Sequence, residues 1–409
     1  MKNCSDIRIN TERLENSLKE MGRMGFTPET GGRNRLALSD GDKAGRDLLC
    51  KWINESGFEL RVDEIGNIFA VLAETDKDAA PVIMGSHIDT VRDGGMFDGA
   101  YGVLGALEVM RTISENSVAV KRPIALAAFT NEEGARFQLD MMGSSYFTGA
   151  RTLDTVYAVK DDSGISVKDE LERIGYCGNK TIHCGNYFEL HIEQGPKLDA
   201  ENISIGAVEG IQGLSWWKCE YTGESNHAGS TPMELRHDTL LAAAEAASKV
   251  EALALRIGNS CVGTVGRISV EPDVINIVAG KCAFTVDFRQ YDQTLFERGK
   301  REVEEIFAEC AAKRGLKFNF ERLVDVSPVS FDAGMVSLVE RKAAALGYSV
   351  KRMYSGAGHD AQFLCKVCPT AMIFVPSKDG RSHCPEEDTD FADAAKGCNV
   401  LLQSVLELL

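Results

Sequence analysis

Four short stretches place imidazole and carboxylate groups just past apolar runs. They are His87, Asp89 and Asp98 in GSHIDTVRDGGMFDG, Glu132 and Glu133 in FTNEEGARF, His191 in ELHIEQG, and His383 in GRSHCPEED. Mixed nitrogen and oxygen donors of this kind suit a divalent transition ion such as zinc or manganese, and an open coordination position makes such a site catalytic. His87 and Asp98 are too far apart in sequence to share a helical face, so the RDGGMFDG loop must fold back on its glycines to join them. Asp89 falls on the same side of an extended strand as His87 and is expected to orient the imidazole through its carboxylate. Glu132 and Glu133 diverge at a strand end, so one carboxylate can hold a metal while the other faces a reacting water. An acidic surface turn is the plain alternative for any one of these residues. Four such sites in one chain argue against it.

The elements that must position these groups follow two patterns. In the opening third, helical stretches (TERLENSLKEMGRMG, KAGRDLLCKWINESG, YGVLGALEVMRTISE) alternate with strands (FELRVDEIGNIFAVLA around Gly66, PVIMGSH, RPIALAAFTNEE). This is the signature of an α/β sheet, in which ligands gather at the carboxyl ends of strands, where His87 and Glu132 fall. From residue 212 the order becomes β-α-β-β-α-β, with LSWWKCEYTG, a long helix over HDTLLAAAEAASKVEALALRIG, strands CVGTVGRISV and INIVAGKCAFTVDFRQ, a second helix, and LKFNFERLVDV. That is the split pattern of a ferredoxin-like unit. After residue 325 the α/β alternation returns. The expected architecture is therefore a discontinuous α/β catalytic domain, 1–211 plus 326–409, carrying an inserted α+β ferredoxin-like domain, 212–325.

Composition narrows the function classes. The chain has 409 residues and a net charge of −16, which argues against a nucleic-acid backbone as partner. No apolar run approaches the length of a membrane span, and the polar, acidic N-terminal stretch lacks a secretory core, so cytoplasm is the expected compartment. The twelve cysteines are then expected to be free thiols. Cys365 and Cys368 form a single C-x-x-C, which without a second pair at zinc spacing reads as structural.

Taken together, HIDTVRDGGMFDG, FTNEEGARF, ELHIEQG, GESNHAGSTPM, SGAGHDAQ and SHCPEE, in this order over nearly the whole chain, resemble the hydantoinase/carbamoylase branch of the M20 metallopeptidase-like amidohydrolases. The resemblance implies a di-metal aminopeptidase-like catalytic domain with a dimerisation and lid insert. It implies two divalent ions, zinc before manganese, cobalt or nickel. Asp98 would bridge them, with His87 and His191 on one ion and Glu133 and His383 on the other. Glu132 would be the base, with Asp89 beside it in the catalytic set and His227 as an oxyanion-stabilising donor. Substrate contacts would come from Gln194, Asn276, Arg289, Gly358 and His359, some of them reaching the active site of a neighbouring subunit in a homodimer. A strand arginine held in a salt bridge is the plain alternative for Arg289. The implied reaction is hydrolysis of the ureido C–N bond of N-carbamoyl-L-amino acids to the amino acid, carbon dioxide and ammonia. Allantoate and β-ureidopropionate hydrolysis use the same machinery, a true peptidase would need a lobe that accepts peptides, and a non-catalytic metal-binding homologue would have no need of Glu132.

Overall fold

Short apolar runs bounded by turns form strands here, and the amphipathic stretches between them form helices. The computed structural model describes residues 4–72 and 79–409. Along the chain come β1 (Glu59–Val62), β2 (Ile68–Leu72), β3 (Val82–His87), β4 (Ile124–Phe129), β5 (Asn186–Ile192) and β6 (Ile205–Ile211). Next are β7 (Gly213–Thr222), β8 (Asn226–His227), β9 (Val262–Glu271), β10 (Ile277–Val278), β11 (Lys281–Gln290) and β12 (Lys317–Val326). The chain finishes with β13 (Val329–Ser330), β14 (Val350–Ser355), β15 (Thr370–Val375) and a closing helix, Phe391–Leu408. It divides into two units, Met1–Gly210 with Ser330–Leu409, and Ile211–Val329.

The first unit has the expected α/β architecture, built on one sheet in the order β1-β2-β4-β3-β5-β15-β6-β13, with β14 on β6. The four central strands, β4, β3, β5 and β15, run parallel to one another. Every residue of β3, β4 and β15 is buried, and so is all of β5 after its first residue. Such continuous burial belongs to strands covered on both faces, which is why they read as apolar runs without alternation. Because the four are parallel, their carboxyl ends lie along one edge. The helix Ala100–Glu115, with 13 of 16 residues buried, packs on β3, β4 and β5 and starts directly after Asp98-Gly99.

The second unit is a four-stranded antiparallel sheet, β12-β7-β11-β9, with the helices Thr239–Ile257 and Gln293–Lys313 packed on it. β7 and β11 alternate in burial, as strands with a single covered face do. Their inward residues Trp217, Tyr221, Phe284 and Phe288 meet Val250, Phe296 and Phe307 from the helices. The stretch INIVAGKCAFTVDFRQ is two strands, not the single one its apolar content suggests. Its first part, β10, leaves the sheet before Gly280 and pairs with β8 in a separate ribbon that sets Ile277 opposite His227. Among the described residues, no helix is long and apolar enough to cross a membrane.

Candidate metal centre

Each of the four parallel strands delivers a side chain to the same edge of the first unit's sheet. His87 ends β3, Glu132 and Glu133 follow β4, His191 lies near the end of β5, and His383 lies in the loop after β15. Asp98 comes from the loop between β3 and the helix Ala100–Glu115. The fold-back of that loop is taken up by positive φ at Asp93 (49°) and Gly99 (63°). Gly99 has a second reason to be glycine: a Cβ there would stand 2.4 Å from the His87 ring.

Asp98 organises the cluster. Its Oδ1 lies 3.6 Å from His87 Nε2 and 3.2 Å from His191 Nε2, while its Oδ2 lies 3.2 Å from His383 Nε2. Glu133 Oε2 is 3.4 Å from that same His383 nitrogen, and Glu132 Oε2 is 3.5 Å from His87 Nε2. Two donor groups result, His87–Asp98–His191 and Asp98–Glu133–His383, and Asp98 belongs to both. The His87 and His191 rings are each held from behind so that Nε2 points inward. His87 Nδ1 meets the carbonyl of Asp89 at 3.0 Å and His191 Nδ1 that of Ile192 at 2.9 Å.

Asp89 differs from its expected role. Its backbone carbonyl orients His87, whereas its carboxylate stays 3.8 Å from the ring. The carboxylate instead accepts the backbone N–H groups of Glu132, at 3.2 Å, and Glu133, at 3.3 Å. The reason is local: β3 ends at His87, so the two-residue alternation that would carry Asp89 onto the same side has already stopped. The consequence is still positional, since Asp89 fixes the turn that carries both glutamates.

The electrostatics call for positive charge. Burial, then the neighbouring Asp360 and Glu133, raises the Glu132 carboxyl well above the usual range; burial and Asp98 do the same to Glu133. Burial pushes His87 down to about 4. Burial also opposes ionisation of Asp98, but hydrogen bonds from His191 and His383 outweigh it and hold that carboxyl low. Glu133 Oε1 is buried with no hydrogen-bond partner, as is Gln194 Oε1. An unpaired buried carboxylate oxygen is costly, and a cation satisfies it. The donor chemistry, the shared aspartate and the unpaired oxygen all fit divalent metal.

A cavity of about 180 Å³ opens onto the cluster. Besides the donors and Glu132, it is lined by Gln194, Gly358 and His359, and by Asp140 and Met141, which belong to no recognisable motif. Gln194 donates from Nε2 to Asp98 Oδ2 at 2.9 Å. His359 is buried, with Nε2 2.9 Å from the Ser355 hydroxyl and its ring edge-on to His191 at 4.6 Å between centroids. Asn131, Met141, Gln194 and His383 all have φ between 47° and 57°. Left-handed backbone at non-glycine residues is uncommon, and its clustering here is typical of a site held by its surroundings.

Two further buried carboxylates, which stand in no motif of their own, support the site. Glu387 Oε1 accepts the N–H groups of Phe97 and Asp98, while its Oε2 accepts the Ser382 hydroxyl, joining the two loops that carry Asp98 and His383. Glu189 on β5 accepts from Ser86 on β3 and from the Ala361 N–H just after His359, both at 2.8 Å.

The remaining candidates, His227, Asn276 and Arg289, belong to the second unit. The β8–β10 ribbon brings two of them together, with the Asn276 carbonyl accepting the Ala228 N–H at 2.9 Å. His227 is exposed, and its Nδ1 accepts from the N–H groups of Gly229 and Ser230 at 3.0 and 3.2 Å, which leaves its proton on Nε2. Arg289 on β11 forks onto Asp287, with Nε to Oδ1 at 3.0 Å and a terminal nitrogen to Oδ2 at 2.9 Å.

Two donor groups that share Asp98 at the carboxyl edge of a parallel sheet suit a metal-dependent hydrolase, and known proteins specify the family. Residues 83–407 match the model of Peptidase family M20/M25/M40, and the chain belongs to that family. It is 42% identical over 403 residues to an N-carbamoyl-L-amino-acid amidohydrolase of Rhizobium meliloti, covering 98% of this chain and 97% of the relative. To an allantoate amidohydrolase of Escherichia coli strain K12 it is 32% identical, covering 97% of each. Among solved structures, a hydantoinase/carbamoylase family amidase from Burkholderia multivorans superposes with a TM-score of 0.95 at 42% identity, covering 98% of both chains.

Proposed function

We propose that this chain hydrolyses the ureido C–N bond of N-carbamoyl-L-amino acids, releasing the L-amino acid, carbon dioxide and ammonia. It is an amidohydrolase of the M20 family, acting on C–N bonds in linear amides. The observation that carries the reading is the division of the Asp98 carboxylate between two donor groups with Glu132 standing beside them. His87, His191 and Asp98 would hold one divalent ion, zinc by donor type, and Asp98, Glu133 and His383 a second. Ions bound there would polarise the ureido carbonyl and make water acidic enough to react at neutral pH.

The chain's own groups do the rest. Glu132 accepts the water's proton at its carboxylate and returns it to the departing amine nitrogen, converting a poor leaving group into a free amine. Asp89 keeps Glu132 aimed by holding its backbone N–H. Gln194, Gly358 and His359 line the space that receives the ureido end. The inserted unit of a second copy, in a cytoplasmic homodimer, supplies His227, Asn276 and Arg289. His227, with its proton on Nε2, is a donor suited to the oxygen that gains charge as water adds. Arg289 would leave Asp287 to clasp with its planar fork the α-carboxylate that distinguishes a carbamoyl amino acid from a plain urea.

Allantoate is the second reading, favoured by the 32% identity to an allantoate amidohydrolase. The test is ammonia release by the zinc- or manganese-reconstituted protein with N-carbamoyl-L-amino acids, N-carbamoyl-β-alanine and allantoate. The highest kcat/KM is expected with an N-carbamoyl-L-amino acid, and chelation should abolish turnover. A higher kcat/KM with allantoate or N-carbamoyl-β-alanine would reject the assignment.

A further inference from the structure

The single C-x-x-C of the chain finds its partner elsewhere in space. Cys368 lies just before β15 and Cys184 just before β5, and these strands run side by side with Thr370 opposite Tyr187. A backbone bond from the Tyr187 N–H to the Pro369 carbonyl, at 3.0 Å, holds that register beside the two thiols. Their sulfurs are 2.8 Å apart. Cys365, the other half of the motif, turns its thiol to the Gln362 carbonyl at 3.4 Å instead. Cys368 is buried, whereas Cys184 and Cys365 are partly exposed, so a small reagent reaches the pair from the Cys184 side. The hydrogen bond from Cys184 lowers the Cys368 thiol below its ordinary range. A metal is not what gathers these groups. Among the described residues, the only sets of three or more donors near enough to share an ion are the two around Asp98.

We propose that Cys184 and Cys368 are a reversible disulfide site at the amino-terminal edge of the central strands, the edge opposite the metal centre. The oxidant is a low-molecular-weight disulfide, RSSR. One thiolate of the pair attacks a sulfur of RSSR, breaking its S–S bond, forming a mixed disulfide and releasing RS⁻. The second cysteine, as thiolate, attacks the protein sulfur of that intermediate and releases the other RS⁻. The two cysteines thus give up two protons and two electrons, and RSSR leaves as two RSH. Closure to a bond of about 2.05 Å asks only for a small approach of the sulfurs. The bond ties β5 to β15, the strands that lead to His191 and His383.

The test equilibrates the full-length, metal-loaded protein in glutathione buffers from fully reduced to fully oxidised, alkylates the remaining thiols and maps peptides by mass spectrometry. Labelling of Cys184 and Cys368 should fall together by about tenfold or more as the buffer becomes oxidising. A Cys184–Cys368 cross-linked peptide should appear, Cys365 should keep its label, and reductant should reverse the change. Cys365→Ser should behave as the unaltered protein. Full labelling of Cys184 and Cys368 in oxidised buffer, or a cross-link joining Cys365 to Cys368, would overturn the proposal.

Discussion

Glu132 and Glu133 share a residue type, a turn and a supporting aspartate, and differ only in what each carboxylate faces. Glu133 completes a donor group with Asp98 and His383, while Glu132 is outside both groups. Glu132→Gln should therefore retain bound metal, measured by elemental analysis, while kcat falls by roughly 10²–10⁴-fold, because an amide cannot take the proton of water. Normal turnover in that variant would remove Glu132 from the role of base. Glu387 acts differently, through two other loops. Glu387→Ala frees the N–H groups of Phe97 and Asp98 and the Ser382 hydroxyl, so metal affinity should fall by about 10–100-fold, the usual effect of losing a partner that orients a ligand. Glu387→Gln, which keeps an accepting oxygen, should recover part of that affinity. Equal metal binding in all three proteins would make Glu387 a stability residue only. At this scale the sequence made legible the groups that touch the cavity, because they follow apolar runs in recognisable motifs. It hid the roles that depend on backbone. Nothing in HIDT says that the carbonyl of Asp89 faces the ring while its carboxylate reaches a turn some forty residues away. Glu387 reads as one more acid in PEED.

At the scale of elements, the site is a product of parallel strands lying close together. Gly85 on β3 faces the β4 backbone, and a Cβ there would stand 2.1 Å from the Ala127 carbonyl oxygen, which has no freedom to move aside. Gly85→Ala must widen the gap between β3 and β4, the strands that carry His87 and lead to Glu132 and Glu133. Destabilisation of roughly 1–3 kcal/mol is expected, as for other overpacked cores, read as a lower midpoint of thermal or urea unfolding. Metal affinity should fall as well, since the two donor-bearing ends move apart. A variant with an unchanged midpoint and full metal content would show that the strands tolerate the separation. The central strands and long helices were legible because burial on both faces writes uninterrupted apolar runs and helix burial writes a period near 3.6. The β8–β10 ribbon was not. Two-residue strands carry no period, and INIV differs from the strand after it only by the intervening Ala279-Gly280, so its pairing with His227 emerges only from the fold.

At the scale of the whole molecule, the proposed chemistry needs groups from both units, and the resemblance to the carbamoylase branch implies that they come from different copies of the chain. His227 is exposed on its ribbon, and with Nδ1 accepting two backbone N–H groups its Nε2 is the nitrogen that can donate. If one copy lends His227 to the centre that contains Glu132 of another, defects in the two residues must complement. Glu132→Gln and His227→Ala should each be nearly inactive alone. In a 1:1 mixture that exchanges subunits freely, half of the dimers are hybrids, and in each hybrid one centre combines an intact Glu132 with an intact His227. About a quarter of normal activity should return. If instead each chain used its own His227, every centre in the mixture would keep one defect, and activity would stay at the level of the separate variants. The same absence of recovery would follow if the chain worked as a monomer. Measuring ammonia release before and after subunit exchange therefore tests the homodimer and the shared site in one experiment.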